Sequence, residues 1–374
     1  MLTPDSVGTL RVQLAQLLDQ ERESLELLRR HAAALRSSVQ RIHPRPATSV
    51  SVVGTDGGNN RVNYDPLSVD LVRIVDSSKN EYHLEAVTPN LSLKELDARQ
   101  FDDTGAPRTA LGQLMQFMGV KSLSQICQVF SSNDSQPRSA SWSGEYRGLH
   151  EWAVLFQFVR CKDFGTDTII VRDGPFREKM FRPGYFGRYR DGLNEGLERQ
   201  LKEKRRRLYL VGILKRSKLF QKYRLALALE GTFHTRYPCF VRIPTEMMLE
   251  AFKYSEWIEN SQSAEGFVAG ELYAAKFGAQ PYDPVWLVDV FAPQASDAPR
   301  IMSYLLNDAL DGFPIPCYPA SLQRAHDAAA LVDFDMDILE RLINQTLRRT
   351  LGNKGEIIDK LAIQESDPSA ARYG

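Results

Sequence analysis

Two apolar runs in this chain end in the same way. SVSVVGTDGG, residues 49–58, and TDTIIVRDGPF, residues 166–176, each close on an aspartate followed by glycine. A short apolar run rich in β-branched residues predicts a buried strand. An acid at the strand's end, followed by a residue that permits a sharp turn, predicts a carboxylate aimed into a cleft. Two such strands make Asp56 and Asp173 candidates for one oxygen-lined site, of the kind that holds magnesium or manganese. Asp-Gly is also a routine turn signal, so spacing by itself leaves both readings open.

The 374 residues are 43% hydrophobic and 25% charged, ordinary values for a soluble globular protein with a sizeable core. With 47 basic and 47 acidic residues the formal net charge is zero. That excludes a whole-chain basic balance for nucleic acid but allows a local basic face. No apolar stretch approaches the roughly 20 residues that span a bilayer, and MLTPDSVGTL lacks the pattern of a secretory signal. Cys127, Cys161, Cys239 and Cys317 form no CxxC pair. A disulfide framework and a zinc finger are therefore not expected, and a reduced, cytoplasmic setting is. GxxxxGK[ST], GxSxG and HExxH are all absent, so the chain is not itself a P-loop ATPase.

Residues 5–42 read as one long helix. Leu14, Leu18, Leu25, Leu28, Ala32, Leu35, Val39 and Ile42 fall on a three-four spacing. That stripe suits either a coiled-coil-like contact with a partner or packing on the chain's own body. The prolines of HPRPA end it. A strand at 49–54 follows, then a hairpin from SVDLVRIVDSS and NEYHLEAVT. Residues 91–130 read as short amphipathic helices, 131–141 as a polar serine-rich loop, and about 143–160 as a helix with an apolar face. Then come the Asp173 strand, a charged helix in GLNEGLERQLKEKRRR and a strand in LYLVGIL. Further apolar runs, helices near 244–258, 298–310 and 335–350, and a polar tail complete the chain. The order predicts a mixed α/β fold.

Further candidates surround the two strand-end acids. Glu151 lies on the helix leading into the Asp173 strand and would supply a third carboxylate. It also follows Arg147 by four positions, the spacing of an ordinary surface ion pair. Three carboxylates suit a two-metal site for phosphodiester cleavage. Lys215, closing LYLVGIL, would meet phosphate or developing negative charge, or else be a solvated lysine. His326 is a possible ligand or acid/base group, or a satisfied surface histidine. Arg177, Lys179, Arg182, Arg188 and Arg190 are interleaved with Phe181, Tyr185, Phe186 and Tyr189. Arginine among aromatics suits a single strand, gripped through its phosphates and stacked bases.

Taken in order, these residues resemble the NurA nucleases. VVGTDGG resembles the family's first motif and implies Asp56 as metal ligand. RGLHE implies Glu151, with Glu145 a close alternative. IIVRDGPF implies Asp173, LYLVGILKRS implies Lys215, FVRIP resembles a later strand, and YPASLQRAHDAAAL implies His326 with Tyr318 nearby. The resemblance spans about residues 49–350. It implies a ribonuclease H-like core with a helical insertion at about 91–141, a nuclease domain over 46–352, a helical arm at 1–45 and a tail at 353–374. It further implies 5′ to 3′ exonuclease and single-strand endonuclease activity with Mn2+ or Mg2+, homodimerisation, and a HerA-type hexameric ATPase as motor. DNA end processing and defence against foreign DNA both fit such a protein. The alternative is a non-catalytic DNA-binding or adaptor subunit of such a complex, its acids structural.

Overall fold

The computed structural model describes residues 3–45, 50–64, 67–131, 142–251 and 267–352. The predicted serine-rich loop beyond Ser131, the second half of the predicted 244–258 helix and the polar tail lie outside the described residues.

Apolar alternation builds one mixed sheet. Its strands are β1 (Gln40–Arg41), β2 (Val50–Tyr64), β3 (Leu67–Asp76), β4 (Glu81–Val87), β5 (Asp167–Asp173), β6 (Leu208–Leu214), β7 (Cys239–Arg242), β8 (Gly270–Lys276) and β9 (Val285–Phe291). The order across the sheet is β1-β7-β8-β9-β6-β5-β2-β3-β4. β2, β3 and β4 form an antiparallel meander, and β5 and β6 lie parallel to β2 on its other side. A three-strand meander continued by two parallel strands is the arrangement of a ribonuclease H-like core. β9, β8, β7 and β1 extend it with antiparallel pairs.

Helices cover both faces. Over β3, β2, β5 and β6 lie α3 (Leu93–Ala98), α4 (Ala110–Met118), α5 (Leu123–Ile126), α6 (Trp142–Cys161) and α7 (Tyr185–Lys204). On the same face, α2 (Arg22–Arg36), α8 (Lys218–Leu229) and α9 (Thr245–Ala251) cover β9, β8 and β7. The opposite face is closed by α10 (Ala298–Leu310) and α11 (Ala320–Ala329). Alternation along β5 shows the layering: Ile170 packs toward α6 and α7, while Ile169 and Val171 pack toward α10 and α11. α12 (Asp333–Leu351) rests its Ile343 near Val69 of β3.

The N-terminal arm departs from a single helix over 5–42. It comprises α1 (Pro4–Gln20) and α2, separated at Glu21, and then enters the sheet as β1. Backbone bonding carries across the junction, with the Leu25 N–H donating to the Glu21 carbonyl. The helix ends before the prolines because Ile42 is needed in the core, where its N–H donates to the Pro238 carbonyl. The leucine stripe therefore divides. Leu28, Ala32 and Leu35 are buried against α8 and β7, whereas Leu14, Leu17 and Leu18 of α1 are exposed. Among the described residues no helix is long and apolar enough to cross a membrane.

Candidate metal centre

The first acid does not sit at a strand end. β2 runs on past Asp56 to Tyr64, paired throughout with β3. What ends near Asp56 is the other neighbour: β2 and β5 pair only as far as Thr55 and Arg172. A notch in the sheet results, with Asp56 on one wall and Asp173, the last residue of β5, on the other. The Gly57-Gly58 turn predicted from sequence is accordingly replaced by extended strand.

Those glycines serve close approach instead. A Cβ on Gly54 would lie 2.4 Å from the Ser321 carbonyl oxygen, and one on Gly58 would lie 2.1 Å from that of Ala329. Residues 54, 56 and 58 share one face of β2, so α11 lies directly on that face. This contact brings His326 down onto Asp56. On the opposite face a Cβ at Gly57 would lie 2.3 Å from Glu151 Oε1. Glycine there admits the α6 carboxylate to the notch. Replacing Gly58 with alanine sets a side chain against a helix backbone that has no room to yield. Gly58→Ala should therefore destabilise the fold by about 1–3 kcal/mol, read as a lowered melting temperature. An unchanged melting temperature would refute this close approach.

Asp56 is 7% exposed. Its Oδ1 accepts the Gly57 N–H at 2.8 Å, and its Oδ2 lies 2.7 Å from His326 Nδ1. An ionised carboxylate only accepts, so Nδ1 donates this bond, and in the neutral ring the lone pair then lies on Nε2. His326 itself is open to solvent, its side chain 59% exposed. Ligand atoms of Asp56, Asp173 and His326 all lie within 4.8 Å of one another. Lys215, the residue after β6, donates to Asp173 Oδ2 at 2.8 Å. Both members of that pair remain partly exposed, so the pair is not sealed away from solvent.

Glu151 enters from α6. Its ordinary helix pair with Arg147 is present at 3.2 Å, and Arg172 of β5 stands 3.8 Å from its other oxygen. Burial pushes the Glu151 carboxyl up to about 7. Arg147 and Arg172 oppose that shift, while the charges of Asp56 and Asp173 add to it. Asp56 is likewise raised, first by burial and then by Asp173, against the lowering influence of His326 and Lys215. Asp56 and Asp173 thus face each other across the notch, a condition a multivalent cation relieves, while Glu151 approaches over Gly57 from the other face of β2 and lies outside their ligand group. Glu145, the alternative to Glu151, is raised by burial and by Glu178. It shares with Glu151, Asp173, Arg147, Arg172, Arg177 and Glu178 the lining of an adjoining cleft of about 400 Å3.

Tyr318 is buried beside the centre. Its hydroxyl has no hydrogen-bond partner among the described residues, and the Lys215 ammonium lies 5.8 Å from its ring centre. Burial and the charges of Asp173 and Asp56 hold the hydroxyl far above its ordinary range.

The basic-aromatic stretch requires correction in its aromatic half. Phe181, Phe186 and Tyr189 are buried around Trp152, where they build the core between α6 and α7 and present no stacking surface. Tyr185 is half-buried against the same cluster. The basic residues are largely engaged by protein. Arg177 pairs with the buried Asp289 at 3.3 Å. Arg182 donates to the Ser124 and Phe130 carbonyls, and Arg188 to those of Met118 and Phe117. Arg190 meets Asp191 at 3.3 Å. The Lys179 backbone N–H, rather than its ammonium, donates to Glu178 Oε1. Arg147 and Arg172 border the acids more closely than any of these. Arg172 was detectable as a charge inside an otherwise apolar strand. Its guanidinium stacks 3.8 Å from the Trp152 ring centre and donates to the Pro175 carbonyl.

No protein-family model matches the chain, and no curated protein matches it. Among solved structures, the chain is similar to the NurA nuclease from Sulfolobus solfataricus, with a TM-score of 0.44 and 10% identity over 92% of this chain and 98% of that one. It is also similar to a structure of NurA, at 0.43 and 10% identity over 96% and 100%. A third similarity is to NurA bound to dAMP and manganese, at 0.42 and 10% identity over 92% and 98%.

Proposed function

We propose that this protein is a metal-dependent DNA nuclease of the NurA kind. The observation that carries the reading is the convergence of Asp56, Asp173 and His326 within mutual ligand reach, with Glu151 approaching over Gly57 from the other face of β2. The donor set is oxygen-rich with one imidazole, which suits Mn2+ or Mg2+. Asp56, Glu151 and Asp173 would hold the ions. Bound there, divalent ions would activate a water and stabilise the leaving oxygen of a phosphodiester. The chain's own groups supply the rest. Asp56 fixes the His326 tautomer, so that Nε2 is the nitrogen able to add a ligand or carry a proton. Lys215, close to Asp173, is placed to neutralise a phosphate once ions occupy the carboxylates. Tyr318 would contact the strand beside it. Arg177, Lys179, Arg182, Tyr185, Arg188 and Arg190 stay in the proposal as a basic flank, narrowed by their existing bonds to one that orders the 174–190 segment beside the cleft.

The same reading extends to assembly and place. Polarity would be 5′ to 3′ on ends, with endonuclease action on single strands, in a cytoplasmic protein of end processing or defence. A HerA-type hexameric ATPase would supply the motor that this chain's sequence lacks. A second copy or that motor would cover the exposed leucines of α1.

A specific observation favours a second reading, a non-catalytic adaptor: Asp173 and Glu151 each already have a cationic neighbour, Lys215 and Arg147. Labelled single-stranded DNA given to the purified chain with manganese, then with excess chelator, separates the two. Cleavage that stops in chelator supports the nuclease. Binding without cleavage, with a HerA-type ATPase also present, supports the adaptor.

A further inference from the structure

A second cluster of ligand-type side chains lies where α6 meets the edge strand β4, separate from the carboxylate group. His83 and Glu85, two positions apart on β4, face α6 together, and His150 of α6 meets them. One donor atom from each lies within 4.8 Å of the others. His150 is fully buried, yet neither ring nitrogen has a hydrogen-bond partner among the described residues, and neither does His83 Nε2. Glu85 Oε2 comes within 3.2 Å of His83 Nε2 but off the direction in which a ring N–H donates. A buried imidazole with both nitrogens unanswered is costly and uncommon. Histidine is also the side chain whose lone pair a metal most often takes.

The carboxylate is held as a ligand would be. Its Oε1 accepts from Arg99 at 2.6 Å and its Oε2 from the Tyr146 hydroxyl at 2.8 Å. Tyr146 is steadied in turn by Gln100, whose Nε2 donates to that hydroxyl at 2.8 Å. Such outer contacts orient metal ligands. The two rings lie stacked, with centroids 3.6 Å apart and planes 17° from parallel. A shared ion would need one ring to turn so that both lone pairs converge. His83, on the edge strand and 9% exposed against none for His150, is the ring less enclosed by its neighbours.

We propose that His83, Glu85 and His150 form a binding site for a divalent transition ion, zinc foremost, distinct from the carboxylate notch. Two imidazoles and one carboxylate are a zinc donor set, with a fourth position open to water. The notch, rich in oxygen, favours manganese or magnesium, so donor chemistry sorts the two sites. His150 immediately precedes Glu151, so an ion here would clamp the helix that carries Glu151 to the edge strand β4.

The test uses the full chain carrying Asp56→Ala, which cripples the notch, stripped with chelator, reloaded with zinc chloride and desalted. Elemental mass spectrometry should find one zinc per chain, with a raised melting temperature. Adding His83→Asn or Glu85→Gln should remove both effects. Cobalt(II) titrated into the Asp56→Ala chain should give visible absorption of four-coordinate ligand-field strength, and this needs no further variant. Absence of bound zinc and of cobalt absorption in that chain would overturn the proposal. So would a zinc content unchanged by His83→Asn. Because the first site is disabled throughout, neither outcome depends on nuclease activity.

Discussion

An Asp56→Asn chain should cleave single-stranded DNA on the order of a thousandfold more slowly than the parent in saturating manganese. The substitution keeps the shape of the side chain and a hydrogen bond toward His326, which lies 2.7 Å from the native carboxylate. It removes the one full charge that faces both Asp173 and His326 within ligand reach. The remaining acids, Glu151 and Asp173, enter from α6 and β5 and have no other carboxylate opposite them on β2. The effect should fall on turnover rather than on DNA binding, because the flank that would hold DNA is untouched. Melting temperature should not fall, since Asp56 is a buried acid whose charge burial disfavours. Cleavage at the parental rate by a folded Asp56→Asn chain would end the nuclease proposal.

The second large effect is a pH dependence written into Glu151. Its carboxyl titrates at about 7 in the fold, against an ordinary 4.5. The folded state therefore favours the proton. The stability this adds is present in full below about pH 4.5 and is lost as pH rises through about 7. Relative to Glu151→Gln, whose amide does not titrate, the parent should lose up to about 3 kcal/mol between pH 4.5 and pH 8 in chelator. Urea or thermal melts of both chains at those two pH values measure it. Manganese should restore most of the loss at pH 8, because the ion neutralises the crowded carboxylates and binds only the folded chain. Cleavage should rise over the same interval, as Glu151 ionises to accept the ion. Parallel pH profiles for the parent and Glu151→Gln would show that Glu151 is not the group held protonated by the notch.

The acids were legible in sequence because strands announce themselves by β-branched apolar runs, and a charge closing such a run has few places to go. Asp173 stands where that logic puts it, at the end of β5. Asp56 was singled out for a partly wrong reason. Its glycines looked like a turn, but they admit α11 and Glu151 to either face of a continuous strand. One sequence signature covers both, because glycine serves wherever a side chain would collide. The aromatics after Asp173 misled for a related reason. Phe186 and Tyr189 are spaced as a ligand-stacking surface can be, and equally as a helix face turned inward, and with Phe181 from the preceding segment they pack around Trp152.

Composition, patterning and the order of strands by themselves determined a mixed α/β chain, the positions of two strand-borne acids and an amphipathic arm, because these follow from local periodicity and burial. Only the tertiary structure decided that β5 stops short beside Asp56, that Glu151 pairs with Arg147 and lies against Gly57, and that half of the arm's leucine stripe is buried. It alone joined His83, Glu85 and His150. Those outcomes depend on which faces meet across elements far apart in the chain, and the register and close approach that fix such meetings are properties of the packed whole.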